Sequence, residues 1–276
     1  MSRSEIPAAF RERVIAQRWR EFHAKACEHF LRLHEPAVSW FGKETLKQAA
    51  LEAVEAARRT GNKSHGGMLD YLTIVYLLGR EFEIDAQYRD FVEGWITSAK
   101  VSSERLYTEF LITDAIRYAE SVALAPHAWA AALDAADAAV DRVANDAMTE
   151  MQVIDAVTDL LREVWPQRLA RFRIDELAAA GLTAKDLPGD ESLLHGDDLP
   201  IVVRDLNQPM GALGVRTPGQ FAAGALLALR FGRGFARDPR YAPFVAIARQ
   251  EQTASQRLHA LLDAARDLNA IWSSRA

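Results

Sequence analysis

One cysteine, Cys27, stands alone among 276 residues, so no disulfide can form within the chain. Lysine is scarce as well, occurring only at Lys25, Lys43, Lys47, Lys63, Lys100 and Lys185. The remaining basic residues are arginines scattered among acids, and with a formal net charge of −5 and a pI near 5.8 no basic run is left to neutralise phosphates. Nucleic acid is therefore not expected as a partner. The longest apolar runs, around 68–78 and 221–229, fall short of the ~20 residues that cross a bilayer. The opening MSRSEIPAAFRERV lacks the apolar core of a secretory signal, so the expected location is the cytoplasm. Runs of alternating β-branched residues are almost missing, with Ile201-Val202-Val203 the one strand-like stretch. No G-x-S-x-G, H-E-x-x-H, Walker-type loop or dinucleotide fingerprint occurs. No catalytic residue, cofactor or metal is assigned on this basis, and an enzyme is the less favoured class.

What the chain has instead is helical periodicity nearly throughout, which predicts an all-α fold. A first helix is expected from near Ser4 to Pro36, carrying Phe10, Val14, Trp19, Phe22, Ala26, Phe30 and Leu33 on its core face. A second follows over 43–60, and a third, apolar on almost every side and so buried, runs from Ser64 to a stop at Gly79. Asp85 is placed to cap a fourth and a fifth covers 102–122. An Ala-rich connector spans 126–148, with Asp134, Asp137 and Asp141 sharing one wet face. Thr149 and Gln152 then have capping-box spacing, as do Thr217 and Gln220 ahead of a second all-round apolar helix that stops at Gly232. Asp238 and Pro239 begin another helix, and the last covers about 252–272.

The plan repeats. GREFEIDAQYRDF at 79–91 and GRGFARDPRYAPF at 232–244 share Gly, Arg, Phe, Asp, Tyr and Phe at a constant offset of 153. Across 61–92 against 214–245, nine of 32 positions are identical without a gap. This reads as an internal duplication, copies about 5–125 and 149–275, packed as one pseudo-symmetric body. Each shared residue has a folding role: glycine closes a helix, phenylalanine plugs the corner, aspartate caps the next helix, and Tyr88 and Tyr241 return to the core. Arg80 and Arg233 are expected on exposed carbonyls of the preceding helix end or on the aspartates. The alternative makes Arg80, Tyr88, Arg233 and Tyr241 the lining of a small-ligand or enzymatic pocket between the copies.

Two other groupings carry chemistry. His23, Cys27 and His34 share a meridian of the first helix, a spacing that suits a metal, but no further ligand follows from the sequence and buried structural roles explain them as well. The stretch KDLPGDESLLHGDDLP, about 185–200, interrupts the second copy with Asp186, Asp190, Glu191, Asp197 and Asp198. Together with Asp134, Asp137 and Asp141 these acids form the candidate surface for a basic protein partner.

The succession F-x-x-R, EHFLRLHEP, G-K-E-T-L and YLLGREFEID resembles uncharacterised helical proteins of Gram-negative bacteria associated with type VI secretion and polymorphic-toxin loci. It covers about residues 10–95 and, more faintly, the second half, which departs through the acidic excursion; Ala86 and Gln87 stand where proline and tryptophan are expected. The resemblance implies a cytoplasmic accessory protein that acts by binding another protein, such as an immunity protein or an adaptor for a secreted toxin.

Overall fold

The computed structural model describes residues 7–88, 92, 111–113, 115–116, 126–143, 149–164, 203–205, 218–250 and 253–273. Helix boundaries follow the local stop and start signals. α1 (Ala8–Leu33) begins after Pro7 and ends before the 3-10 turn Glu35–Ala37 that contains Pro36. A short α2 (Val38–Phe41) leads to α3 (Lys43–Arg59). α4 (His65–Leu78) starts where the Ser64 hydroxyl accepts a 3.0 Å hydrogen bond from the Gly67 amide and stops at Gly79. α1, α3 and α4 pack on one another and bury Phe22, Ala26, Phe30, Leu46, Val54, Leu72, Ile74 and Leu78.

The second half is built around α7 (Pro218–Phe231), which packs against α5 (Pro126–Val143), α6 (Glu150–Val164) and α9 (Ala254–Ser273). α6 opens with the expected capping box, Thr149 N–H donating to Gln152 Oε1 at 2.9 Å and Gln152 N–H to Thr149 Oγ1 at 3.4 Å. Thr253 and Gln256 form another at the head of α9, which the sequence reading did not single out. α8 (Ala242–Ala248) joins α7 to α9. No strand occurs among the described residues, and Val203, expected as extended, is helical and buried.

One expectation for α1 is corrected. Phe10, placed on the core face by its spacing, is 51% exposed, Ile15 is exposed too, and full burial along the helix begins only at Phe22. Length explains this. At a rise of about 1.5 Å per residue α1 extends ~39 Å against ~26 Å for α3 and ~21 Å for α4, so its first turns outrun the helices that cover the rest. The fifth helix expected at 102–122, the cap at Thr217, and Phe91 lie outside the described residues, apart from the helical residues 111–113 and 115–116.

Candidate functional site

The two copies of the repeated motif are two corners, 79–88 and 232–241, and they meet each other. Gly79 (φ +88°) and Gly232 (φ +84°) each close a helix in a conformation that L side chains rarely adopt. Behind them, 3-10 turns Phe82–Ile84 and Arg233–Arg237 bury Phe82 and Phe235, each worth up to about 3 kcal/mol of burial. Asp85 and Asp238 share one extended conformation and one role. Their Oδ1 atoms accept from the amides of Gln87 (3.1 Å) and Arg240 (3.0 Å), heading the 3-10 turns Ala86–Tyr88 and Pro239–Tyr241. Their Oδ2 atoms accept from Gln87 Nε2 and Arg240 Nε, both at 2.9 Å.

The contacts between corners are reciprocal at the same offset of 153. Gln87 Nε2 donates to the Ala228 carbonyl (3.2 Å), and Arg240 Nη2 to the Val75 carbonyl (3.1 Å), one helical turn before each stopping glycine. Arg233 Nη1 donates to the Ile84 carbonyl (2.9 Å), and Arg80 Nη1 to the Arg237 carbonyl (3.3 Å). Each arginine side chain therefore serves a carbonyl of the opposite corner, where the sequence pointed to the end of its own preceding helix or to the aspartates. Carboxylates complete the coordination: Arg80 pairs with Glu52 at 2.6 Å, and Arg233 pairs with Asp205. The Arg233 amide adds a 2.7 Å bond to Asp85, and Arg237 Nη2 donates to Glu81 at 2.7 Å, neither with a described counterpart at the offset.

Tyr88 and Tyr241 are buried, and Tyr241 packs against Phe231, Phe235, Phe244 and Phe41 at centroid distances of 4.7–6.1 Å. Burial raises its phenol to about 12. The structure does place a cleft of about 300 Å³ between the corners and α3, and of Arg80, Tyr88, Arg233 and Tyr241, the expected lining of a pocket between the copies, only Arg80 lines it. Its polar walls include Glu52, Glu81 and Glu83 with Arg59, Asp238 and Arg240. Burial pushes the Glu83 carboxyl above the ordinary glutamate range, against the opposing hydrogen bond it receives from the Tyr71 hydroxyl. The sequence offered no signal for Tyr71 and Glu83, which lie twelve residues apart on different elements.

The meridian of α1 is divided among separate tasks. His34 is buried; its Nδ1–H donates to the Phe30 carbonyl at 2.9 Å, leaving Nε2 to accept from Arg240 Nη1 at 3.3 Å. Burial and the neighbouring guanidinium hold it neutral, with a pKa of about 3. Cys27 Sγ lies 3.8 Å from the Lys47 carbonyl, and His23 packs beside Trp19 and Phe22. Among the described residues no group of three or more His, Cys, Asp or Glu side chains could hold a metal ion.

The acidic face of α5 is partly engaged by α9. Asp137 receives His259 Nδ1 at 2.7 Å and Arg266 Nη2 at 3.1 Å, while Asp134 lies 3.3 Å from Arg266. Partial burial opposes ionisation of Asp137, but these bonds outweigh it and hold the carboxyl below the ordinary aspartate range. The Asp134 side chain remains 72% exposed. The Asp141 side chain and the whole excursion with Asp186, Asp190, Glu191, Asp197 and Asp198 lie outside the described residues. Among the described residues no helix is long and apolar enough to cross a membrane.

No protein-family model, curated protein or solved structure matches the chain.

Proposed function

We propose that this is a non-enzymatic protein-binding accessory protein, an immunity protein or an adaptor for a secreted bacterial toxin, acting in the cytoplasm. The observation that carries the reading is how the repeated polar residues are used. Arg80 and Arg233 are bonded to backbone carbonyls of the opposite corner, and Gln87 and Arg240 to carbonyls of the helix that leads into it, so the signature that most resembled a site works as a joint. In this reading the joint unites two copies of a duplicated unit, about 5–125 and 149–275, supported by the shared offset of the reciprocal contacts. Recognition then falls to surfaces where the copies differ, foremost the acidic face of α5 and the acidic excursion at 185–200, which would meet a basic partner surface by charge complementarity. The test is co-purification of the tagged chain with the products of neighbouring genes under gentle conditions. Retention of one of them supports the reading, and retention of none removes both the immunity and the adaptor versions.

The cleft of about 300 Å³ favours a second reading, a small-ligand binder or helical enzyme, because its volume reaches the lower end of ligand pockets and Glu83 is a half-buried carboxyl within it. Saturable binding from a small-metabolite panel that Glu83→Gln abolishes would favour this reading over the first.

A further inference from the structure

Arg230 is the penultimate residue of α7, at the position that Leu77 holds in α4, 153 residues earlier. Leu77 packs against the core, so the fold asks for an apolar side chain here and receives a guanidinium. Arg230 is 7% exposed, and its Nε is buried without a hydrogen-bond partner. Its Cζ lies 5.1 Å from the ring centroid of Trp272 and 5.9 Å from that of Trp129. The other buried arginines among the described residues are provided for: Arg233 pairs with Asp205, and Arg240 with Asp238. No described carboxylate pairs with Arg230. Around it stand phenols, Tyr76, Tyr88 and Tyr241, and burial holds those of Tyr76 and Tyr241 protonated at neutral pH. Burial lowers the Arg230 guanidinium only to about 10, so it stays cationic.

An unpaired buried cation is strongly unfavourable, and two indole faces offset only part of that cost. A fold that can place leucine at this point carries the cost only if the charge is used. We infer that Arg230, walled by Trp129 and Trp272, is a carboxylate-binding site. Arg230 supplies paired N–H donors, whose planar fork matches a carboxylate bidentately. The indoles supply apolar surface for the body that carries the acid. A phosphate dianion fits less well, because a single guanidinium would leave half its charge uncompensated in a buried setting. The carboxylate could belong to a free organic acid or to an aspartate or glutamate side chain of a protein. The assignment does not rest on the accessory-protein reading above.

The test titrates the full chain at constant ionic strength with benzoate and, separately, with an acetylated and amidated pentapeptide bearing one central glutamate among alanines. Calorimetry and thermal unfolding follow both titrations. At least one probe is expected to bind saturably to the wild type, about tenfold or more weakly to Arg230→Lys, and not at all to Arg230→Leu. Binding of benzoate alone supports the free acid as the source, and binding of the peptide supports a protein side chain. Without probe, Arg230→Leu is expected to unfold at the same temperature as the wild type or higher, since it restores the residue of the sister corner. Should that variant not fold, Arg230→Lys and Trp272→Phe carry the comparison. Absence of binding by both probes through the millimolar range, or binding that Arg230→Leu and Arg230→Lys leave unchanged, overturns the assignment.

Discussion

Gly79 and Gly232 face each other so closely that neither can carry a side chain. A Cβ on Gly79 would overlap the Phe231 carbonyl oxygen and stand 2.8 Å from its carbonyl carbon; one on Gly232 would overlap the Leu78 oxygen and stand 3.2 Å from the Gly79 Cα. Both residues also have positive φ, so a substitution meets backbone strain as well as collision. Gly79→Ala and Gly232→Ala are each expected to lose more than about 4 kcal/mol in urea unfolding, or to fail to fold. Gly66, inside α4, is the control, because a Cβ there meets nothing within 4 Å. Gly66→Ala should be neutral or stabilising by up to about 1 kcal/mol. A comparable small effect at Gly79 would mean that the corners do not meet backbone to backbone.

Arg240 fills the position that Gln87 fills in the other corner, and the pair predicts a graded series. Arg240 is 1% exposed and bonds Asp238, the Val75 carbonyl and His34. Arg240→Ala strands the Asp238 carboxylate in the interior and should cost about 3–5 kcal/mol. Arg240→Gln restores the chemistry with which the first corner satisfies Asp85, including a donor for the Val75 carbonyl, and should recover at least half of that loss. Equal losses in the two variants would show that the charge, not the hydrogen-bonded turn, is what the corner needs.

How far the sequence carried these results depends on the range of the interaction. Helix ends at Ser64, Gly79, Thr149 and Gly232 were legible because glycine, hydroxyl and amide residues act on backbone within a turn of themselves. The corner residues were legible as folding residues for the same reason. Which carbonyl Arg80 reaches was not, since Arg237 lies 157 residues away and helix-end chemistry is alike everywhere. Likewise the spacing of Asp134 and Asp137 marks a common face, but not that α9 brings His259 and Arg266 onto it. Arg230 left a trace that was readable in principle: one charged residue in an apolar helix, aligned with Leu77.

His34 and Asp85 should oppose each other in acid. The native imidazole titrates at about 3, below its ordinary 6.5, so as pH falls below about 6.5 the unfolded state binds the extra proton and stability is lost down to about 3. Asp85, raised by burial to about 6 from 3.8, has the opposite sign: between about 6 and 3.8 the native state binds the extra proton and stability is gained. Each contributes a slope approaching ~1.4 kcal/mol per pH unit. Relative to the wild type, His34→Gln should gain stability steadily as pH falls from 6.5, and Asp85→Asn should lose it between 6 and 3.8. Unfolding free energies from about pH 7 to about pH 4 check both; difference curves that are flat would show that neither group is buried in its ordinary state.

Asp134 and Asp137 separate binding from folding on the acidic face. Asp137, its side chain 32% exposed, is held by two α9 side chains, whereas Asp134 projects to solvent with one longer ion pair to Arg266. Exposed pairs of this kind contribute at most about 1 kcal/mol, so Asp134→Lys should leave the unfolding temperature almost unchanged. If this face meets a basic partner, the reversal of charge should slow association several-fold and weaken its dependence on salt, because steering acts on encounter more than on the bound state. Asp137→Asn should instead loosen the α5–α9 contact, raising hydrogen exchange in the amides of both helices with a smaller effect on capture. A partner whose association rate is the same with Asp134→Lys as with the wild type at low salt would move the binding surface away from α5.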